Sequence, residues 1–203
     1  MAQLKLIFCT IKERKIKMDR NKFSMYWSYY KMIEEKLIST NQYVTHTNDN
    51  GKCYSDEFTS IILLSCSEID SILKELLINL NISPKKKYYQ MSDYANVLIK
   101  FKDKGIETVS TRINVHDNNN FSVTPFKNIN ANLPYANLNW WKDYQAIKHD
   151  RIHNVKKGNL ANAITVLSAH FLIVRLLIHF IPEDNGQSYL FEKTWSEYWI
   201  PAV

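Results

Sequence analysis

Apolar residues recur along this chain at helical spacing. Tyr26, Tyr30, Ile33 and Leu37 stand four, three and four apart, which predicts a first helix over 23–42 with one buried face. A polar stretch with Asn50-Gly51 reads as a loop. The seam Ile62, Cys66, Ile69, Leu73, Leu76 and Leu80 predicts a second helix that starts at Ser55 or Asp56 and is ended by Asn81 and Pro84. A third, shorter helix is predicted over 92–101, with Ser92 and Asp93 at its start.

Between 105 and 137 the helical period disappears. Short alternations at 107–115 and 121–124 flank Asp117-Asn118-Asn119-Asn120 and predict a small β-hairpin inserted between helices. Asn137 is the cap expected for a fourth helix running to about His153. Lys156-Lys157-Gly158 breaks the pattern. Asn159 caps a fifth helix, reaching about Ile181, whose face is Ile164, Leu167, Phe171, Val174 and Ile178. The fold expected is all-α: a bundle of about five helices with a hairpin insertion. Its expected parts are a basic N-terminal appendage (1–22), a helical domain (23–181, with 105–137 the irregular insertion) and a tail (182–203) whose Trp195, Tyr198 and Trp199 tuck onto the bundle. Met18 is a second possible start, which would make 1–17 irrelevant to function.

The run 163–181 has the length of a membrane span. It also carries His170, Arg175 and His179, ionisable groups that are costly in lipid, so a buried central helix is the expectation and no membrane partner is expected. The two histidines are read as satisfied core residues, and Arg175 as needing a partner such as Glu68 or Asp70. The first six or so apolar residues are too few for a secretory leader. Three cysteines, Cys9, Cys53 and Cys66, show no metal-ligand spacing, which fits a reducing cytoplasm; no metal or other cofactor is expected.

Charge adds direction. Twenty-six Lys and Arg against 20 Asp and Glu leave +6, which favours an anionic partner, nucleic acid foremost. Only four glycines are present, which argues against a glycine-rich nucleotide loop. The densest polar constellation is 140–159, with Lys142, Lys148, His149, Asp150, Arg151, His153, Lys156 and Lys157. On a continuous helix Lys142, His149 and His153 share a face, and Tyr144, Lys148 and Arg151 form a second stripe. Imidazole moves protons near neutral pH, and a guanidinium or ammonium offsets phosphate charge. These groups suit cleavage of an RNA phosphodiester by its own 2′-hydroxyl. The plain alternative is a solvated cationic face. Trp140 and Trp141 are candidates for stacking bases or for anchoring the helix, and Lys85–Lys87 for extending a phosphate-binding surface or forming a solvated turn.

The run Trp140-Trp141-x-x-Tyr144-x-x-Ile147-Lys148-His149-x-Arg151, followed by Asn159-x-x-Asn162-Ala163 and a long apolar helix, resembles the end of HEPN-domain proteins. So does Tyr54-Ser55 with Cys66-Ser67-Glu68-Ile69-Asp70-x-x-x-Lys74. The likeness covers about 23–181 and is greatest to bacterial HEPN-like proteins, looser to abortive-infection ones. It implies an up-and-down helical bundle, a homodimer, and in many members a metal-independent endoribonuclease whose Arg and His meet where two protomers join. Those enzymes place four to six residues between Arg and His. Here Lys142 stands in the Arg position, with six residues between it and His149; Arg151 and His153 are too close, and the pairs Arg112/His116 and Arg175/His179 have three residues between them. Lysine keeps the charge but not the planar, bidentate grip.

The resemblance therefore yields His149, Arg151 and Lys142 as catalytic candidates, with Lys148, His153, Lys156 and Lys157 as RNA-binding cations. Glu68, Asp70, Tyr144 and Asp150 are supporting groups. Glu68 or Asp70 is read as orienting His149 or Arg151 across the bundle, or, for Asp70, as pairing locally with Lys74. Three readings stand open: a metal-independent endoribonuclease in phage defence or a toxin–antitoxin setting, a non-catalytic module binding RNA or protein, and a helical partner of a separate nucleotidyltransferase. A neutralising partner protein is an expectation of the first.

Overall fold

The structure, a computed structural model, describes residues 18–104, 109–111, 122–127, 129–130, 132–133, 138–182, 196 and 199–201. Among these, five α-helices carry the fold: α1 (Arg20–Thr40), α2 (Asp56–Asn79), α3 (Met91–Leu98), α4 (Asn139–His149) and α5 (Leu160–Ile178). Three are capped as their sequences dictate. Asp19 Oδ1 accepts the Asn21 N–H, Ser55 Oγ that of Phe58 and Asn159 Oδ1 that of Asn162, each satisfying a donor the helix leaves open. At α3 the cap is Gln90, whose own N–H goes to Asp93 at 2.9 Å. Asn81, at φ 53°, takes the left-handed turn after α2.

Five contacts near the helix ends set the helix directions. Backbone bonds Ser55 N to Gly158 O and Leu160 N to Cys53 O tie the starts of α2 and α5 together. The Lys36–Glu57 ion pair brings the end of α1 to the start of α2, and Arg151–Asp56 brings the chain after α4 there too. Met18 N bonds Phe180 O, joining the start of α1 to the end of α5. Hence α2 and α5 run parallel, and α1 and α4 run against them.

The parallel pair forms the centre. Every position of the anticipated α5 face is buried, as are Ile62, Cys66, Ile69, Leu73 and Leu76 of α2. Burial of these side chains from both helices supplies the main driving force for their association. By length and apolarity α5 would cross a membrane, yet most of that apolar stretch is buried within the protein. On α1, Tyr30, Ile33 and Leu37 are fully buried while Tyr26 is half-buried and donates to Glu75.

Several anticipated boundaries shift. Met18 is buried and α1 begins at Arg20, so 18–22 belong to the bundle and not to an appendage. The third helix ends at Leu98 and passes into a 3-10 segment, Ile99–Lys104. The fourth stops at His149, four residues early, and a separate 3-10 segment, Ile152–Lys157, follows. Its N-cap is Leu138; Asn137 lies outside the described residues. Strand β1 (Val109–Thr111) pairs antiparallel with β2 (Ser122–Val123), and β3 (Trp199–Pro201) from the tail pairs on the other edge of β1. The connection between β1 and β2 lies outside the described residues.

Candidate functional site

Helix α4 is fixed by its aromatic face. Trp140 and Trp141 are both 4 % exposed, so neither offers a platform for bases. Trp140 donates its indole N–H to the Pro125 carbonyl at 2.8 Å and meets Phe126 and Trp141 edge-on. Tyr144 and Ile147 complete the buried stripe. That anchoring turns Lys142, Lys148 and His149 outward, where all three are exposed. The Lys148 ammonium lies 5.5 Å from the centre of the Tyr144 ring. Burial pushes the Tyr144 hydroxyl up, and Lys148 pulls against it.

Asp150 ends the helix. Its backbone leaves the helical region (φ −153°, ψ 78°), and its carboxylate turns onto His153, 3.3 Å from the backbone N and 2.8 and 2.9 Å from Nδ1. Asn154 then donates its side-chain amide to Asp150 O at 2.7 Å, covering a carbonyl the helix leaves open. A short acceptor side chain that competes for nearby N–H groups is the reason Asp favours such breaks. The break overturns the expectation of a continuous face: His149 lies on α4 and His153 on the following 3-10 segment, so they are not i,i+4 neighbours. Lys142 and His149 do remain two turns apart on one helix.

Arg151, just past the break, reaches Asp56 at the start of α2, Nη1 to Oδ1 2.9 Å, with both side chains largely exposed. Lys157 pairs with Asp143 at 3.4 Å, and Asn162 ties the same carboxylate to α5 at 2.9 Å. The side chains of Lys142, His149 and Lys156 make no hydrogen bond or ion pair among the described residues. The stretch 142–157 holds five Lys and Arg against two Asp, half the chain's net charge on one exposed connection. Ile152 and Val155 stand exposed among these cations.

Of the supporting carboxylates, Glu68 and Asp70 lie elsewhere. Glu68 is half-buried, which pushes its carboxyl up, and its charge acts on Tyr26 of α1. Asp70 accepts the Tyr94 hydroxyl from α3 at 2.9 Å and does not pair with Lys74. Neither bonds His149 or Arg151 among the described residues. The acid that Arg151 does meet, Asp56, was legible only as a helix cap. Arg175 sets its guanidinium over the Phe171 ring at 5.6 Å. His170 is fully buried with neither ring nitrogen hydrogen-bonded among the described residues, where it is not the satisfied core histidine anticipated. Lys85, Lys86 and Lys87 are exposed on the connection after α2, with Lys87 over Tyr88. Compared with protein-family models, curated proteins and solved structures, the chain shows no match.

Proposed function

We propose that this chain is a HEPN-like helical protein that cleaves RNA without a metal ion, acting in the cytoplasm in phage defence or a toxin–antitoxin setting. The observation that carries the reading is the exposed end of α4. There the His149 side chain stands without a partner among the described residues, on the same helix as Lys142 and Lys148 and followed in the chain by Arg151 and Lys156. His149 supplies proton transfer, and the cations offset charge on the phosphorane. The Arg151–Asp56 pair is exposed, so a phosphate can replace the carboxylate at small cost. Exposed Ile152 and Val155 supply apolar positions for a second copy of the chain to cover, in keeping with a homodimer.

The decisive test is cleavage of single-stranded and hairpin RNA in EDTA by the purified chain, beside His149→Ala. Products ending in 2′,3′-cyclic phosphate, lost in the variant, are the expected result. No cleavage by the wild-type chain rejects the enzyme reading.

One observation favours a second reading, a non-catalytic RNA-binding module. Arg151, His153 and Lys157 each already hold a carboxylate of this chain. On that reading RNA is retained, with salt-dependent affinity, and stays intact.

A further inference from the structure

Metal-free cleavage of RNA needs two proton transfers, one from the 2′-hydroxyl and one to the departing 5′-oxygen. His149 alone provides one. We infer that His153, positioned by Asp150, is the general base of the proposed reaction and His149 its general acid; the inference rests on the RNA-cleavage reading above.

The geometry is that of a carboxylate–imidazole pair. His153 Nδ1 lies 2.8 and 2.9 Å from the two Asp150 oxygens. The His153 backbone N–H reaches the same carboxylate, and Asn154 pins the Asp150 carbonyl, so the pair is held within one turn. A carboxylate at Nδ1 selects the tautomer with its proton there, which leaves the lone pair on Nε2. The His153 side chain is 81 % exposed, so a ligand can reach that nitrogen. Once Nε2 has taken a proton, Asp150 offsets the new charge. Among the described residues the His149 side chain bonds no carboxylate. His149 is the exposed last residue of α4 and takes the acid's part, giving its proton to the leaving oxygen.

The reaction balances with no further reagent. Nε2 of His153 takes the 2′-hydroxyl proton as O2′ bonds to phosphorus. The bond from phosphorus to O5′ breaks, and O5′ receives the proton of the His149 imidazolium. The products are a 2′,3′-cyclic phosphate and a 5′-hydroxyl, and exchange with water restores both histidines. Asp150 touches no substrate atom and is a positioning residue.

The experiment uses the full chain, a labelled single-stranded RNA in EDTA, and single-turnover rates from pH 5 to 9. Binding is measured separately with the 2′-deoxy strand, which cannot be cleaved by this route. His153→Ala and His153→Gln are expected to lose about 10²–10⁴-fold in rate with unchanged affinity. Asp150→Asn is expected to lose about 10–100-fold in rate with unchanged 2′-deoxy affinity, because the imidazole has lost the carboxylate that orients it, and Asp150→Glu to recover part of that loss. Wild-type rates in His153→Ala beside an inactive His149→Ala would overturn the inference and leave the ribonuclease reading standing. A loss of 2′-deoxy affinity equal to the loss of rate would also overturn it, making His153 an RNA contact. No cleavage by the wild-type chain overturns both.

Discussion

A Cβ placed on Gly158 would lie 2.0 Å from the Oγ1 of Thr59. Gly158 has an ordinary φ of −75°, so space and not backbone freedom demands glycine here. The same residue accepts the Ser55 N–H through its carbonyl, so it presses the connection after α4 against the start of α2. Gly158→Ala is expected to cost about 1–3 kcal/mol through overpacking, read from urea midpoints. Thr59→Ala in the same chain should recover much of that loss.

Arg151 and Asp56 should contribute little to stability. Their exposed pair is expected to be worth about 0.2–1 kcal/mol, so either alanine variant should unfold near the wild-type midpoint. Their effects on RNA should be opposite. Arg151→Ala weakens binding and lowers its salt dependence, whereas Asp56→Ala frees the guanidinium and strengthens binding. Anisotropy titrations at two salt concentrations separate the two. Parallel effects of both variants would detach Arg151 from the RNA-binding surface.

Acid should destabilise the bundle from within. Burial lowers His170 to about 3 and His46 to about 4, against an unperturbed 6.5. Both therefore bind protons more readily unfolded than folded. Stability is full above about pH 6.5 and falls as pH drops towards the folded values. At pH 5 the His170 contribution to this loss is about 2 kcal/mol by linkage. His170→Leu removes the charging penalty and the unsatisfied ring nitrogens, so its advantage over wild type should be larger at pH 5 than at pH 7.5. Equal midpoint differences at the two pH values would show that His170 does not titrate in this way.

The Asp70–Tyr94 bond joins α2 to α3 and leaves the basic connection untouched. Tyr94→Phe removes a hydrogen bond to a carboxylate, expected to cost about 1.5–3 kcal/mol. Thermal unfolding should show that loss for both Tyr94→Phe and Asp70→Asn, with RNA cleavage by the folded fraction unchanged. A fall in cleavage for Asp70→Asn alone would return Asp70 to the site.

The helical seams were legible because each is long and periodic. Cys66, Ile69 and Leu73 follow one face of α2 without interruption, and a local signal, Ser55 or Asn159, marks where a helix begins. The end of α4 was not, because its cause is one side chain. His149 and His153 keep helical spacing across the break, and spacing alone does not reveal that Asp150 folds back onto His153. The exposed cations of the candidate site were found by their density. Their carboxylate partners were missed where, as with Asp56 and Arg151, 95 positions separate them. Trp140 and Trp141 fit either a base platform or a core anchor by composition, and only burial separated the two.

The tail's meeting with the first helix bears on how the chain reaches its fold as it is made. Glu34 on α1 is completely buried, and Ser196 is among the groups that bond its carboxylate. Met18 is held by Phe180, and β1 is paired with β3 from the last residues described. Helix α5, central to the core, follows the other four described helices in sequence. A ribosome making this protein from its N-terminus therefore presents the apolar seams of α1 and α2 long before their cover exists. Burial is completed by contacts of large sequence separation, which form slowly. Chaperone engagement during synthesis, and aggregation of any product stalled before α5, are the outcomes expected of that order.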